Sequence, residues 1–330
     1  MKTLKLIIAV LLLMFANFIF SQNLPGEIEL VKEVDVNLGK GYTHSQVFVL
    51  NEEKFLFSHN SNTGQTDIWN LEKGGSPIYS KKWSSGWTNI NFHEFKGKVY
   101  FFHQKSSEGT ARINRLDYNE IMANKTMGPK IYEDKWSSGW TTTEFFVHNN
   151  ILYFFHYKKS TGLARLNAAT MGGGVGLKLY EKTWSKGYIN FAMTANGNRF
   201  YILYQKGDEG TCVINNIDLR QLEMAVHNGN SISNLGEESY KKKWSTGWSN
   251  ICFFTLDHQV YVFFNKNKGG TARIEKLDYY GTLGQRVYDK KWSDGYSEVD
   301  IYYQNGKPYL FLQKASTGQT IISELRIKKH

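Results

Sequence analysis

The sequence predicts an all-β fold, a six-bladed β-propeller whose last blade is closed by the N-terminal strand, on three observations. A phrase of the form W-S-x-G-aromatic recurs along the chain. Each copy is followed by short aromatic and β-branched runs in the same order. The two ends of the chain carry complementary fragments of one repeat.

The first aromatic of the phrase falls at Trp83, Trp136, Trp184, Trp244 and Trp292, and a worn copy, LGKGYTH, begins at Leu38. The six markers are spaced by 45, 53, 48, 60 and 48 residues, which suits propeller blades. After the second aromatic come an alternating run such as TNINFHEF, a β-prone run such as KVYFFHQK, a turn such as SSEGT, and then ARINRLD. Such runs, bounded by Gly, Ser and Asn, read as strands joined by hairpins. Gly64, Gly109, Gly162, Gly210, Gly270 and Gly318 share one turn position, as expected where the backbone needs positive φ. A fourth run, as in PKIYEDKW, carries a tyrosine four residues before the marker.

The last repeat ends TIISELRIKKH after three strands, while EIELVKEVDVNL near the start is a fourth strand lacking its own first three. Pairing residues 27–37 beside 319–328 leaves no open edge between the first and last blades. Insertions sit between third and fourth strands, and DLRQLEMAVHNGNSISNLG has room for one short helical turn.

Residues 1–21 read as a signal peptide: Lys2 and Lys5 precede the apolar run LIIAVLLLMFANFIF, too short and too near the start to favour a membrane span. Residues 22–330 then form a single propeller domain, expected to be secreted, periplasmic or at the cell surface. The chain has 40 Lys+Arg against 30 Asp+Glu, so removing Lys2 and Lys5 leaves 38 against 30 and a formal charge of +8. The lysines are spread along the chain rather than gathered in one block, which reads as a solvated surface with no nucleic-acid partner. Cys212 and Cys252 are too few for a disulfide framework, and no zinc-like spacing occurs.

No G-x-S-x-G elbow, HExxH motif or recurring acid pair appears. The chain is therefore expected to be no enzyme and to use no cofactor or metal. His103 and His156 share a repeat position, and packing or hydrogen bonding is the expected role of the strand histidines. Two basic positions flank the turn glycine: Lys105, Lys158, Lys206, Lys266 and Lys314 before it, and Arg112, Arg165 and Arg273 after it. Their long side chains are expected to cover apolar surface while their charged ends reach water.

The recurring phrase joins the outermost strand of one blade to the innermost strand of the next, so it crosses a blade junction. A large aromatic there fills the wedge between blades, a role assigned mainly to the first tryptophan. Alternatively an aromatic stacks on a sugar ring while Ser, Asn and a backbone amide bond its hydroxyls. Trp83, Ser84, Gly86, Trp87 and Asn89 form such a set, with emphasis on the second aromatic.

GWTNINFHEFKGKVYFF, from Gly86 to Phe102, and TGWSNICFF, from Thr246 to Phe254, resemble the repeat of tachylectin-2-type β-propeller lectins. The phrase is also similar to WS-x-GWT repeats of proteins exported by bacteria. The tachylectin-2 propeller has five blades and these repeats count six, which suggests a separate branch. The resemblance implies amino-sugar sites between adjacent blades. It nominates Trp83 with Trp87, Trp136 with Trp140, Trp184 with Tyr188, Trp244 with Trp248 and Asn250, and Trp292 with Tyr296, whereas Leu38 departs from the pattern.

The expected function is a secreted multivalent lectin that binds glycans or glycoconjugates on a surface and gains avidity from tethered sites. The alternative is a non-catalytic protein-interaction or structural propeller. A glycan-active enzyme would require one blade that breaks the repeat with clustered acids.

Overall fold

The computed structural model describes residues 28–328; the signal-peptide expectation for residues 1–21 lies outside them. Of the six four-stranded antiparallel sheets, five are wound in sequence order and the sixth takes its outermost strand from the start of the described chain. The innermost strands contact one another in a ring in which the sixth touches the first. This is the predicted six-bladed propeller. No helix among the described residues is long and apolar enough to cross a membrane.

The ring closes as expected. Ile28–Asn37 pairs antiparallel with Gln319–Ile327, in register from Ile28 opposite Ile327 to Asn37 opposite Gln319, with one irregularity between Lys32 and Val34. The chain start thus supplies the outermost strand of blade six, and a row of unpaired backbone groups is covered.

The second strands are buried on both faces, because each blade packs between two neighbours. Phe57, Phe101, Phe154, Phe155, Ile202 and Phe263 are fully buried in second strands. Phe48 stacks on Phe92 across the first junction at 4.6 Å, and Phe146 on Phe200 across the third at 4.0 Å. The long insertion of blade four departs from expectation by forming a helix, Leu219–Asn228, rather than one short turn. Asp218 caps its start by accepting the Arg220 N–H, Gly229 ends it at φ 67°, and Leu219, Leu222 and Ala225 face the core, so ordinary capping and an apolar stripe sustain it.

The turn glycine has a steric reason beyond its φ, which is 78° at Gly109. The Trp136 N–H donates to the Gly109 carbonyl at 2.8 Å, and a Cβ on Gly109 would lie 1.9 Å from the Trp136 carbonyl oxygen. The same approach recurs from Gly64 to Trp83 and from Gly270 to Trp292. Gly109→Ala therefore combines a left-handed backbone with a backbone clash. It is expected to cost about 2 kcal/mol or more and to lower Tm by about 5 °C in a thermal melt.

Candidate active site in the central channel

The innermost strand of every blade starts at the end of a junction loop, so residues at equal distance from the second aromatic lie at equal height around the axis. Two residues after it stand His44, Asn89, Thr142, Asn190, Asn250 and Glu298; four residues after it stand Gln46, Asn91, Glu144, Ala192, Cys252 and Asp300. All of them line one cavity of about 500 Å³ at the junction-loop end of the channel. Gln46, Asn91, Glu144 and Asp300 also line a second cavity of about 570 Å³, together with Phe48, Phe146, Tyr302 and several valines. The second ring is thus the boundary between a polar chamber and a more apolar one.

Hydrogen bonds hold neighbouring blades together at this level. His44 Nε2 lies 3.0 Å from the Thr88 carbonyl, Asn89 donates to Thr143 Oγ1 at 2.7 Å, and Asn190 donates to the Trp248 carbonyl at 2.9 Å. The circuit reaches the closure, where Glu298 accepts from the Ser45 backbone. Gln46 spans three blades: its Oε1 accepts from the Phe92 N–H at 3.2 Å, and its amide bonds Asp300.

Three carboxyl groups share the chamber, Glu298 and Asp300 from blade six and Glu144 from the opposite blade three. Burial pushes Glu144 up to about 8, and the charge of Asp300 adds to the rise. Burial also raises Glu298 to about 8, opposed by the Ser45 hydrogen bond. Asp300 is raised by burial only to about 6, because Gln46 and its own neighbour Ile301, whose N–H lies 2.8 Å away, stabilise its charge. Burial thus raises all three carboxyls above their ordinary range, Asp300 least because hydrogen bonds stabilise its charge.

The nominated junction residues have a different environment. The second aromatics, Trp87, Trp140, Tyr188, Trp248 and Tyr296, are only 1–8% exposed. Lys105 and Arg112 lie over the Trp87 ring at 5.4 and 5.2 Å, Lys158 and Arg165 over Trp140 at 4.8 and 5.1 Å, and Lys266 and Arg273 over Trp248 at 5.0 and 5.4 Å. Those faces are occupied by the protein's own cations, which corrects the sugar-stacking role given to the second aromatic. The first tryptophans, Trp83, Trp136, Trp184, Trp244 and Trp292, are half-buried instead. Each indole N–H donates to the tyrosine four residues earlier, as from Trp83 to Tyr79 at 2.7 Å. The second aromatic is thus the more deeply packed of the two.

Ser84 is exposed, and Trp83, Ser84 and Trp87 line a groove of about 490 Å³ with Tyr79, His103 and Arg112. Gly86 instead ties the loop to its blade through an N–H bond to the Ser61 carbonyl at 2.8 Å. Asn89 and Asn250 belong to the channel, not to the junction groove. His103 and His156 are packed under the tryptophans, and burial lowers both to about 3. The sequence reading missed Glu144, Glu298 and Asp300 because it did not compare first-strand positions between blades. Four residues after the second aromatic an acid stands in two blades, Glu144 and Asp300, where the others carry Gln46, Asn91, Ala192 and Cys252, and SEVDIYY adds Glu298 two residues before Asp300.

No family model matches the chain, and neither does any curated protein. Solved structures do share its frame. One is the PQQ-bound aldose sugar dehydrogenase of Streptomyces coelicolor, with TM-score 0.56 at 11% identity over 92% of this chain and 98% of that one. Another is a putative oxidoreductase (glucose dehydrogenase) from Thermus thermophilus, with TM-score 0.55 at 12% identity over 90% and 100%. A third is the hydrazine synthase of Kuenenia stuttgartiensis, with TM-score 0.53 at 12% identity over 87% and 78%. These neighbours are enzymes, and together with the covered aromatic faces they overturn three expectations: a lectin, a non-catalytic interaction propeller and a protein without enzymatic activity. At this identity the likeness itself establishes the fold.

Folding raises the Glu144 carboxyl from an ordinary 4.5 to about 8. The folded state then holds a proton that the unfolded chain has released, so stability falls as pH rises from about 4.5 through about 8. Glu144→Gln removes that loss. Its Tm is expected to match the parent at pH 5 and to exceed it by about 5 °C at pH 9, measured by calorimetry.

Proposed function

We propose that this protein is a carbohydrate-active enzyme that cleaves a glycosidic bond by acid–base chemistry in the central channel. The observation that carries the reading is Glu144 facing Asp300 from the opposite blade in one chamber, with burial raising Glu144 further than the hydrogen-bonded Asp300. Carboxyl groups separated in this way take the acid and base roles of glycoside hydrolysis. A protonated Glu144 gives its proton to the leaving glycosidic oxygen as the C–O bond breaks. Asp300 accepts a proton from the water that attacks the anomeric carbon. The amides of Asn91 and Asn250 and the hydroxyl of Thr142 line the same chamber, where they bond sugar hydroxyls.

The sugar-related names of two structural neighbours support a saccharide as the substrate class. The PQQ bound by the Streptomyces enzyme does not carry over. PQQ is a tricarboxylate, and the chamber presents Glu144, Glu298 and Asp300 with no lysine or arginine among its lining residues, so burying three more carboxylates there would lack the cations that such a site needs. An exported location, inferred from residues 1–21, belongs to the same proposal and places the enzyme beside extracellular polysaccharide.

Release of reducing ends from a polysaccharide panel tests the reading. Glu144→Gln and Asp300→Asn are each expected to lower turnover about 100-fold or more while leaving the protein folded. The rate should be bell-shaped in pH, with limbs near the values of about 6 for Asp300 and about 8 for Glu144. A folded parent that releases no reducing ends, or a Glu144→Gln variant with full turnover, rejects it.

A further inference from the structure

The lysines that are scattered in sequence are gathered in space, because equal repeat positions fall at the same end of the propeller. The residue just before the marker closes each outermost strand at the junction-loop end, and in four blades it is Lys82, Lys135, Lys243 or Lys291. Lys40 and Lys186 sit in the junction loops themselves. All six are exposed, and none has an ion-pair partner among the described residues. Further back along the outer strands some lysines are paired, as in Lys178 with Glu181 and Lys241 with Glu238, and Lys81, Lys182, Lys242 and Lys290 add further cations without an ion pair among the described residues. Of the acids on the loop face, Glu108 and Glu209 are engaged by Lys105 and Lys206, and Asp208 and Asp294, exposed there, are outnumbered by the six lysines. A crown of free cations therefore surrounds the mouth of the chamber that holds Glu144 and Asp300.

The distances decide what such a crown can hold. Four strands at ordinary spacing place the outermost one about 14 Å beyond the innermost, so a small molecule in the chamber never reaches Lys82 or Lys243. A polymer crossing the face touches both. The exposed side chains Met171, Tyr279 and Tyr280 in loops, Met224 on the helix and Tyr303 at the far end of an innermost strand lie toward the opposite end. The crown end exposes only the aliphatic Val36 and Ile189 among large apolar side chains, which leaves it without the aromatic anchors of a membrane-binding face. We infer that the substrate is a polymeric, acidic saccharide, a polysaccharide bearing carboxylate or sulfate groups that lies across the lysine crown and feeds one bond into the channel. The inference rests on the proposed saccharide chemistry and specifies its substrate.

Binding is read without turnover by titrating the full-length Glu144→Gln protein with dextran sulfate, polygalacturonate and neutral dextran. Both anionic polymers should bind, with an affinity that falls as salt rises, and neutral dextran should not. In about 50 mM salt, replacing Lys82, Lys135, Lys243 and Lys291 together by Gln should weaken binding about tenfold or more and flatten the salt dependence. The same charge removal at the opposite end, Lys96, Lys98, Lys125 and Lys307 to Gln, should change it by less than about twofold. Equal binding of neutral dextran, equal weakening by the opposite-end variant, or tighter capture of duplex DNA or anionic vesicles than of either polysaccharide overturns the inference. Reducing-end release from neutral polymers alone would reject the acidic substrate and keep the enzyme. Anionic binding that depends on the crown, in a parent without turnover, would reject the hydrolase and keep the crown.

Discussion

The contact between the hairpin glycine and the marker residue sets the geometry of every blade. At the two ends of the hydrogen bond from Trp136 N–H to Gly109, neither partner has room for a Cβ on the glycine. This joins the hairpin between second and third strands to the loop that leaves the blade, so the two cannot shift independently. With the backbone of the marker held, its indole reaches the tyrosine one strand-turn earlier and the second aromatic enters the core. The next innermost strand then starts at a fixed height. Repetition around the ring brings the residues two and four positions along that strand to common levels in the channel.

The aromatics divide their work according to what surrounds them. A tryptophan that opens an innermost strand is covered below by second-strand side chains, such as His103 under Trp87 at 4.3 Å, and above by a lysine and an arginine. The arginine occurs in the copies whose second aromatic is Trp, and Tyr188 and Tyr296 have only the lysine. Arg112 and Arg165 are held in turn by Glu133 and Glu181 on the outermost strand. The planar guanidinium matches the larger indole face and carries its own carboxylate. The pairing of Trp with Arg was legible in the sequence, and it marks a packed stack rather than an open ligand face.

Blade number, strand order and the closure by residues 28–37 were legible because they depend on local signals that recur six times: turn glycines, β-branched and aromatic runs, and a fourth strand missing from one end and present at the other. The helix at Leu219–Asn228 was underestimated because its apolar stripe, Leu219, Leu222 and Ala225, is short and surrounded by polar residues. Exposure was the least legible property. A tryptophan beside Ser and Gly looks the same in sequence whether its face meets solvent or a lysine, and only the register of the hairpin decides which side it takes. The channel acids were hidden for a related reason, since periodicity analysis favours what repeats.

That bias has a physical counterpart in where a propeller can hold a unique site. Six similar junctions provide six similar environments, and a substitution at one of them affects one junction. The axis is the only region that all six blades share, so a difference between opposite blades becomes a directed asymmetry within a single chamber. Glu144 on blade three meets Glu298 and Asp300 on blade six, while Ala192 and Cys252 complete the same level without charge. A symmetric ring of six carboxylates would be costly to bury and would repel itself. Three acids among amides can stay protonated or find a hydrogen bond, as Asp300 does with Gln46. The lysines follow the opposite rule: they repeat, lie on the periphery and remain in water, where like charges are tolerated at little cost. Repeated cations thus suit a long partner that meets many blades at once, and acids confined to two opposite blades suit a single group held at the axis.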